Sequence, residues 1–369
     1  MGIKVLEVNV DDYLHGGVYQ LVTEWVRLMP PEFKIDIAAL EPFEDPAHIE
    51  ALKEQNCDVY YVGADINKIK KQRAIYRNMR ELIEREHYDV VHLHSDVAHK
   101  ILVSGLAAKK CKVPKIIFHS HANDVEGSHK KLRIMFHKMC AKVLKGIPAV
   151  RIATSEDAGK WMFPGSKNFI VLDNGIDYAK YYYSGETRER VRQEMGLEDR
   201  FVIGFVGRFV DQKNPFYLLD IMSRVHTEIP DAVLVCIGQG RFEDEFKSRA
   251  RDMGLDEKII MLGGVDNVPD YYQAMDALIM PSNFEGFGLV AVEAQISGTP
   301  IIASEYVPDM TRISDLITYL PIGAEDADKW AEALKGFKAH AKYDVRAEID
   351  HKYDMSRMIA TLADIYGNS

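Results

Sequence analysis

Short apolar runs alternate with segments of helical period from one end of this chain to the other, and that alternation leaves few folds open. IKVLEVNV, FKIDIAAL, VYYVG, DVVHLHS, KIIFHSH, VRIATS and FIVLDNG fall in the first half; FVIGFVG, AVLVCIG, KIIMLGG, ALIMPS and PIIAS fall in the second. Strands that are apolar along nearly their whole length are covered on both faces, as in parallel sheets flanked by helices. The expected class is α/β. A chain of 369 residues, 47% of them hydrophobic, exceeds one core and suits two.

The halves meet at NGIDYAKYYYSGETRERVRQEMGLEDR, Asn174 to Arg200, an Asn-Gly turn followed by polar, tyrosine-rich sequence. It reads as the connection between domains 1-172 and 173-352. Near the end, Met358, Ile359, Leu362, Ile365 and Tyr366 share one helical face, so the segment from about 353 to 369 has an apolar side to bury, on the first domain if it packs back.

A net charge of -10 excludes a protein built as a whole to coat nucleic acid. The cysteines Cys57, Cys111, Cys140 and Cys236 form no CxxC pair and lie in or beside apolar runs, which fits reduced thiols in a cytoplasmic compartment. MGIKVLEVNV enters a strand at once, without the apolar region and cleavage site of a secretory signal, and no uncharged apolar window approaches the ~20 residues of a membrane span.

The chemistry concentrates in NFEGFGLVAVEAQISGTPIIAS, Asn283 to Ser304. ALIMPS and PIIAS are strands and Gly298 suits a helix C′ position, so a crossover helix runs from about Gly288 to Ser297. The turn Phe284 to Gly288 then lies at the carboxyl edge of a parallel sheet and opens a helix N-terminus, where main-chain N–H groups and the helix dipole favour an anion. Carboxylates beside a phosphate need hydroxyls to grip: Glu293 suits a ribose diol, and Glu285 a sugar or a developing positive charge.

Other stretches converge on the same ligand. In FVIGFVGRFVDQKNP, Arg208 and Lys213 lie in a strand-to-helix loop that ends at Asn214-Pro215, an N-cap with proline at N1. Two fixed cations there can neutralise a leaving diphosphate, as a metal ion otherwise would. Gly16 and Gly17 follow the first strand and open a helix, permitting close backbone approach. His119 and His121 end a strand at alternate positions and so face one side of it. They lack the spacing and third ligand of a zinc site, and a hydrogen bond to a sugar is expected, from His119 especially.

Taken together, the E-x(7)-E element Glu285 to Glu293, the GR-x(4)-K-N loop, Gly16-Gly17, His119 and the NGID turn resemble glycosyltransferase family 4 enzymes of the GT-B fold. The resemblance runs over nearly the whole chain. It implies two Rossmann-like domains facing a central cleft, the first binding an acceptor and the second a nucleotide-sugar donor, with retention of anomeric configuration and no metal or other cofactor. It also implies that Arg208 and Lys213 hold the donor phosphates, Glu293 the ribose and Glu285 the sugar. Phe287, Gly288 and Leu289 offer amides to the diphosphate, and His119 meets the sugar near the reacting carbon. RIATSEDAGKWMF, Arg151 to Phe163, is similar to the subgroup that assembles bacterial capsular polysaccharides and exopolysaccharides. Two rivals stay open: a non-hydrolysing sugar-nucleotide 2-epimerase, and a non-catalytic nucleotide-sugar-binding subunit of a transferase.

From His99 to Arg151 twelve lysines and arginines face only Asp124 and Glu126. Within this stretch, residues 128–146 mix basic and apolar side chains at helical spacing, the pattern of a helix lying on an anionic membrane surface. A lipid-linked acceptor approached from the cytosolic leaflet is the matching expectation, the alternative being a solvated helix whose apolar side is core.

Overall fold

The computed structural model describes residues 2–12, 17–65, 67–122, 130–265, 267–285, 287–338 and 342–368. It divides into two compact units, Met1–Gly175 with Tyr353–Ser369, and Ile176–Lys352.

In the first unit the strands are β1 (Ile3–Val8), β2 (Phe33–Ala39), β3 (Val59–Tyr61), β4 (Val90–Ser95), β5 (Lys115–Ser120), β6 (Val150–Ala153) and β7 (Ile170–Val171). They pair in parallel in the order β3-β2-β1-β4-β5-β6-β7. The second unit holds β8 (Phe201–Val206), β9 (Ala232–Ile237), β10 (Ile259–Gly263), β11 (Ala277–Met280), β12 (Ile301–Ser304) and β13 (Ile317–Leu320), parallel in the order β10-β9-β8-β11-β12-β13. Both are doubly wound, Rossmann-like sheets. The strand order reverses between β1 and β4 in one unit and between β8 and β11 in the other, and ligands of such sheets bind at the carboxyl ends of the strands beside a reversal.

The sequence marks these strands for a physical reason. β4, β9, β11 and β12 are buried at every residue, because helices cover both faces. Two strands depart from the expectation. In FIVLDNG only Ile170 and Val171 pair, at an edge where both stay about 40% exposed. β13 was not anticipated: ITYL is short, polar at Thr318 and only partly buried, as an edge strand can be.

Asn174 to Arg200 is more structured than a connector. The helix Gly185–Met195 starts at a Ser184 side-chain cap and ends at left-handed Gly196. Arg188 and Arg192 bind Asp276, which also accepts from Val202 N at 2.7 Å. Asn214 does not serve as the N-cap that its place before Pro215 predicts: it adopts φ 51° and closes the 3-10 turn Asp211–Lys213, and the following helix begins at Phe216 behind Pro215.

The C-terminal helix Met355–Gly367 belongs to the first unit. Met355, Met358, Ile359, Leu362 and Tyr366 are buried in one cluster with Val5, Ile35 and Trp25. Trp25 is fully enclosed, and truncating such a side chain to alanine costs about 3–5 kcal/mol. Cys57, Cys140 and Cys236 are buried and Cys111 partly so, all as free thiols. Among the described residues no helix is long and apolar enough to cross a membrane.

Candidate active site

In the second unit the expected residues gather at the β8/β11 reversal. The loop leaving β8 carries Arg208 and Lys213, and the loop leaving β11 carries Glu285. Lys213 Nζ lies 2.6 Å from Glu285 Oε1, with the side chains only 14% and 6% exposed. Gln212 Nε2 approaches the other carboxylate oxygen at 3.4 Å. Two further bonds tie the loops together, Asn283 N to Gln212 O at 2.8 Å and Asn283 Nδ2 to Asp211 O at 2.6 Å. Arg208 is exposed.

Glu293 sits on the helix Leu289–Ile296, whose inner side, Ala291, Val292, Ala294 and Ile296, is enclosed by the sheet. Gly288 opens this helix at φ 93°, a left-handed conformation that an L side chain strains to adopt, and no side chain among the described residues caps it. Phe287 is partly buried, Gly288 buried and Leu289 exposed. Tyr181 and Tyr272 hydroxyls hold the Glu293 carboxylate at 3.1 and 2.7 Å. Burial pushes the Glu293 carboxyl above the usual range; the two tyrosines and the charge of Lys213 offset only part of that. Neither tyrosine was singled out from sequence, since they lie 112 and 21 residues from Glu293.

In the first unit Gly16 lies outside the described residues, and Gly17 is the exposed first residue of the helix Gly17–Leu28. His119 is fully buried rather than presented to a ligand. The register of β1, β4 and β5, with Glu7 beside His92 and His94 beside His119, puts all four on one sheet face. Trp25 stacks on His92 and His119, with ring planes 8° and 5° apart. His94 Nε2 lies 2.6 Å from Glu7 Oε2, and Tyr366 OH donates to Glu7 Oε1 at 2.8 Å. His92 Nδ1 lies 2.7 Å from Tyr366 OH, and its Nε2 3.2 Å from His119 Nδ1.

Burial pushes the Glu7 carboxyl up, but His92 and His94 pull it down further, to about 2. His94 is depressed by burial to about 4, and His119 and His121 well below the ordinary histidine range for the same reason. His92, His94 and His119 bring ring nitrogens within 4.8 Å of one another, a spacing that could serve a metal ion. All but one of those nitrogens already face Glu7, Tyr366 or another imidazole as hydrogen-bond partners. Only His121, just past the end of β5, is partly exposed. The signal for this cluster was the pair VHLHS and HSH, period-two histidines on adjacent strands, together with a lone glutamate inside an apolar strand.

At the carboxyl ends of β1 and β2 lies a cavity of about 660 Å3, lined by Asn9, Asp11, Glu41, Phe43, Lys71 and Lys100 among others. The helix Lys130–Leu144 has two apolar stripes. His137, Cys140, Ala141 and Leu144 are buried, while Leu132, Met135, Phe136, Met139 and Val143, also at helical spacing, are 50–62% exposed.

Two family models match the chain: Glycosyltransferase Family 4 over residues 15–180 and Glycosyl transferases group 1 over residues 187–348. The chain is 27% identical over 349 residues to an Escherichia coli protein named UDP-Gal:alpha-D-GlcNAc-diphosphoundecaprenol alpha-1,3-galactosyltransferase, covering 90% of this chain and 87% of that one. It is 28% identical over 347 residues to a 41.2 kDa protein in the cps region of Klebsiella pneumoniae, covering 88% and 92%. Among solved structures, Anabaena HepE in complex with UDP and glucose superposes with a TM-score of 0.76 over 100% of both chains, at 17% identity.

Proposed function

This chain belongs to the family 4 glycosyltransferases of GT-B fold, and on that premise we propose that it transfers a sugar from a UDP-sugar to a glycan or lipid-linked acceptor, with retention of configuration and without a metal ion, in the assembly of a bacterial capsular polysaccharide or exopolysaccharide. The observation that carries this reading is the Lys213–Glu285 pair at the β8/β11 reversal, beside Glu293 and an uncapped helix start.

In this reading the second unit binds the donor. Lys213 and Arg208 take the diphosphate and stabilise its charge as the sugar departs, the amides of Phe287, Gly288 and Leu289 approach the same oxygens, Glu293 holds the ribose hydroxyls, and Glu285 faces the sugar. The leaving phosphate takes the acceptor proton on the same face of the sugar, so no separate base is required. HepE, bound to UDP and glucose, and the Escherichia coli relative, named for UDP-Gal, favour uridine as the base.

The first unit would hold the acceptor, with the cavity at β1 and β2 as its site. The sugar contact expected of His119 passes to His121, because a group sealed in the core cannot meet a substrate. A lipid-linked acceptor agrees with the diphosphoundecaprenol in that relative's name, and the exposed apolar stripe of Lys130–Leu144, flanked by Lys131, Lys138 and Lys142, suits an anionic bilayer.

Incubation with UDP-, GDP-, ADP- and dTDP-sugars and product analysis by NMR separates the readings. Released nucleoside diphosphate with an α-configured product from an α-linked donor supports retaining transfer. An epimerised nucleotide sugar would mean the 2-epimerase instead, and binding with no turnover, with or without lipid-linked acceptors, the binding subunit.

A further inference from the structure

The hydrogen bonds of the buried histidine cluster have a direction. The Glu7 carboxylate can only accept, so His94 Nε2, 2.6 Å away, carries a proton. A neutral imidazole with its proton on Nε2 has a lone pair on Nδ1. His121 Nε2 lies 2.9 Å from that lone pair and must therefore be protonated as well. With His121 neutral, its Nδ1 is left bare.

We infer that Glu7 and His94 are positioning residues that fix the tautomer of His121, so that His121 presents a hydrogen-bond acceptor at the carboxyl edge of the first sheet. Two branches leave Glu7, and they differ in where they end. The branch through Tyr366 and His92 stops at His119, whose Nε2 is buried without a partner among the described residues. The branch through His94 ends at His121, which is partly exposed and whose Nδ1 has no partner among the described residues. The low pKa values of His94 and His121, set first by burial, keep both rings neutral and the direction intact near neutral pH.

A bare ring nitrogen accepts a hydroxyl hydrogen and repels phosphate oxygens. The ligand group met by His121 is thus a hydrogen-bond donor, and for a sugar a hydroxyl, which deepens, and rests on, the reading of this unit as one that handles a sugar. The step needs no titration of His121: the imidazole orients the hydroxyl and stays neutral.

The test begins on the wild-type protein carrying 15N-labelled histidine, with the His121 signals assigned by comparison with His121→Gln. Long-range 1H–15N correlation at about pH 7.5, well above the depressed pKa, is expected to show Nε2–H and an unprotonated Nδ1 for His121. A proton on Nδ1, or a cationic ring, overturns the inference. His94→Asn places a carbonyl oxygen where Nδ1 stood and is expected to keep that tautomer, whereas His94→Leu releases His121 to a tautomeric mixture. With the nucleotide sugar that the wild type turns over, His94→Leu is expected to lower kcat about tenfold with KM within about twofold, and His94→Asn to restore most of it. Equal losses in both variants with an unchanged tautomer would assign His94 a merely structural role. If no nucleotide sugar turns over, the functional reading fails, while the NMR result still decides the tautomer.

Discussion

Lys213 and Glu285 form an ion pair at 2.6 Å from loops that leave different strands, β8 and β11, and both side chains are largely buried. A pair in such a setting stabilises little relative to apolar neighbours, but either member alone is costly. Glu285→Gln or Lys213→Met is expected to destabilise the second unit by about 3 kcal/mol, and the double variant by clearly less than the sum of the two. Urea unfolding of the four proteins measures this, and simple additivity would mean that the two charges do not interact.

Glu293 has its carboxyl raised by burial. The native state therefore holds a proton that the unfolded chain has already released, and the stability this confers is lost as pH rises from the ordinary carboxylate value through the raised one. Over that window wild type is expected to lose stability relative to Glu293→Gln, with parallel curves as the contrary result. Tyr272→Phe removes a 2.7 Å bond to the same carboxylate and is expected to weaken UDP binding by about 1.5–3 kcal/mol, the scale of a hydrogen bond to a charged group, as calorimetry would show.

The first unit responds to acid with the opposite sign. His94, held down at about 4 from an ordinary 6.5, binds its proton more readily unfolded, so stability is lost as pH falls through that interval, by about 3 kcal/mol for this residue alone. Glu7, held at about 2, adds a second loss from the ordinary carboxylate range downward. Urea midpoints across this range are expected to fall on acidification and to fall less in His94→Asn. A flat profile between neutrality and pH 5 would contradict the depressed pKa of His94.

On the helix Lys130–Leu144 the stripe Leu132, Met135, Phe136, Met139 faces away from the core. Phe136→Glu and Met139→Glu are therefore expected to leave the melting temperature within a few degrees, since surface substitutions lie within about 0.5 kcal/mol, and to abolish sedimentation with anionic vesicles at low salt. Wild-type protein that stays in the supernatant would remove the membrane from the proposal.

What the sequence made legible follows from what local chemistry determines. Parallel strands such as β9 and β12 are apolar throughout, and Gly288 and Gly298 mark the bounds of a helix by their left-handed backbone. The loop glutamate and lysine could be placed at one sheet edge because strand-to-helix loops of a doubly wound sheet all emerge there. Burial was harder. The exposure of His119 and that of His121 differ although the two are only two positions apart, because Trp25, distant in sequence, stacks on His119 within the sheet while His121 lies just past the end of β5. No local signal carries that difference. The two apolar stripes of Lys130–Leu144 were visible as apolar positions, but only packing says which stripe is core.

The central claim is donor chemistry at Glu285 and Lys213, and slow hydrolysis of a UDP-sugar tests it most directly. UDP release by wild type and Glu285→Gln, each with and without EDTA, is expected to show turnover by wild type that EDTA does not change and at least a hundredfold loss in the variant, the scale on which removing a transition-state contact acts. Turnover that EDTA abolishes, or that Glu285→Gln retains, would contradict the account.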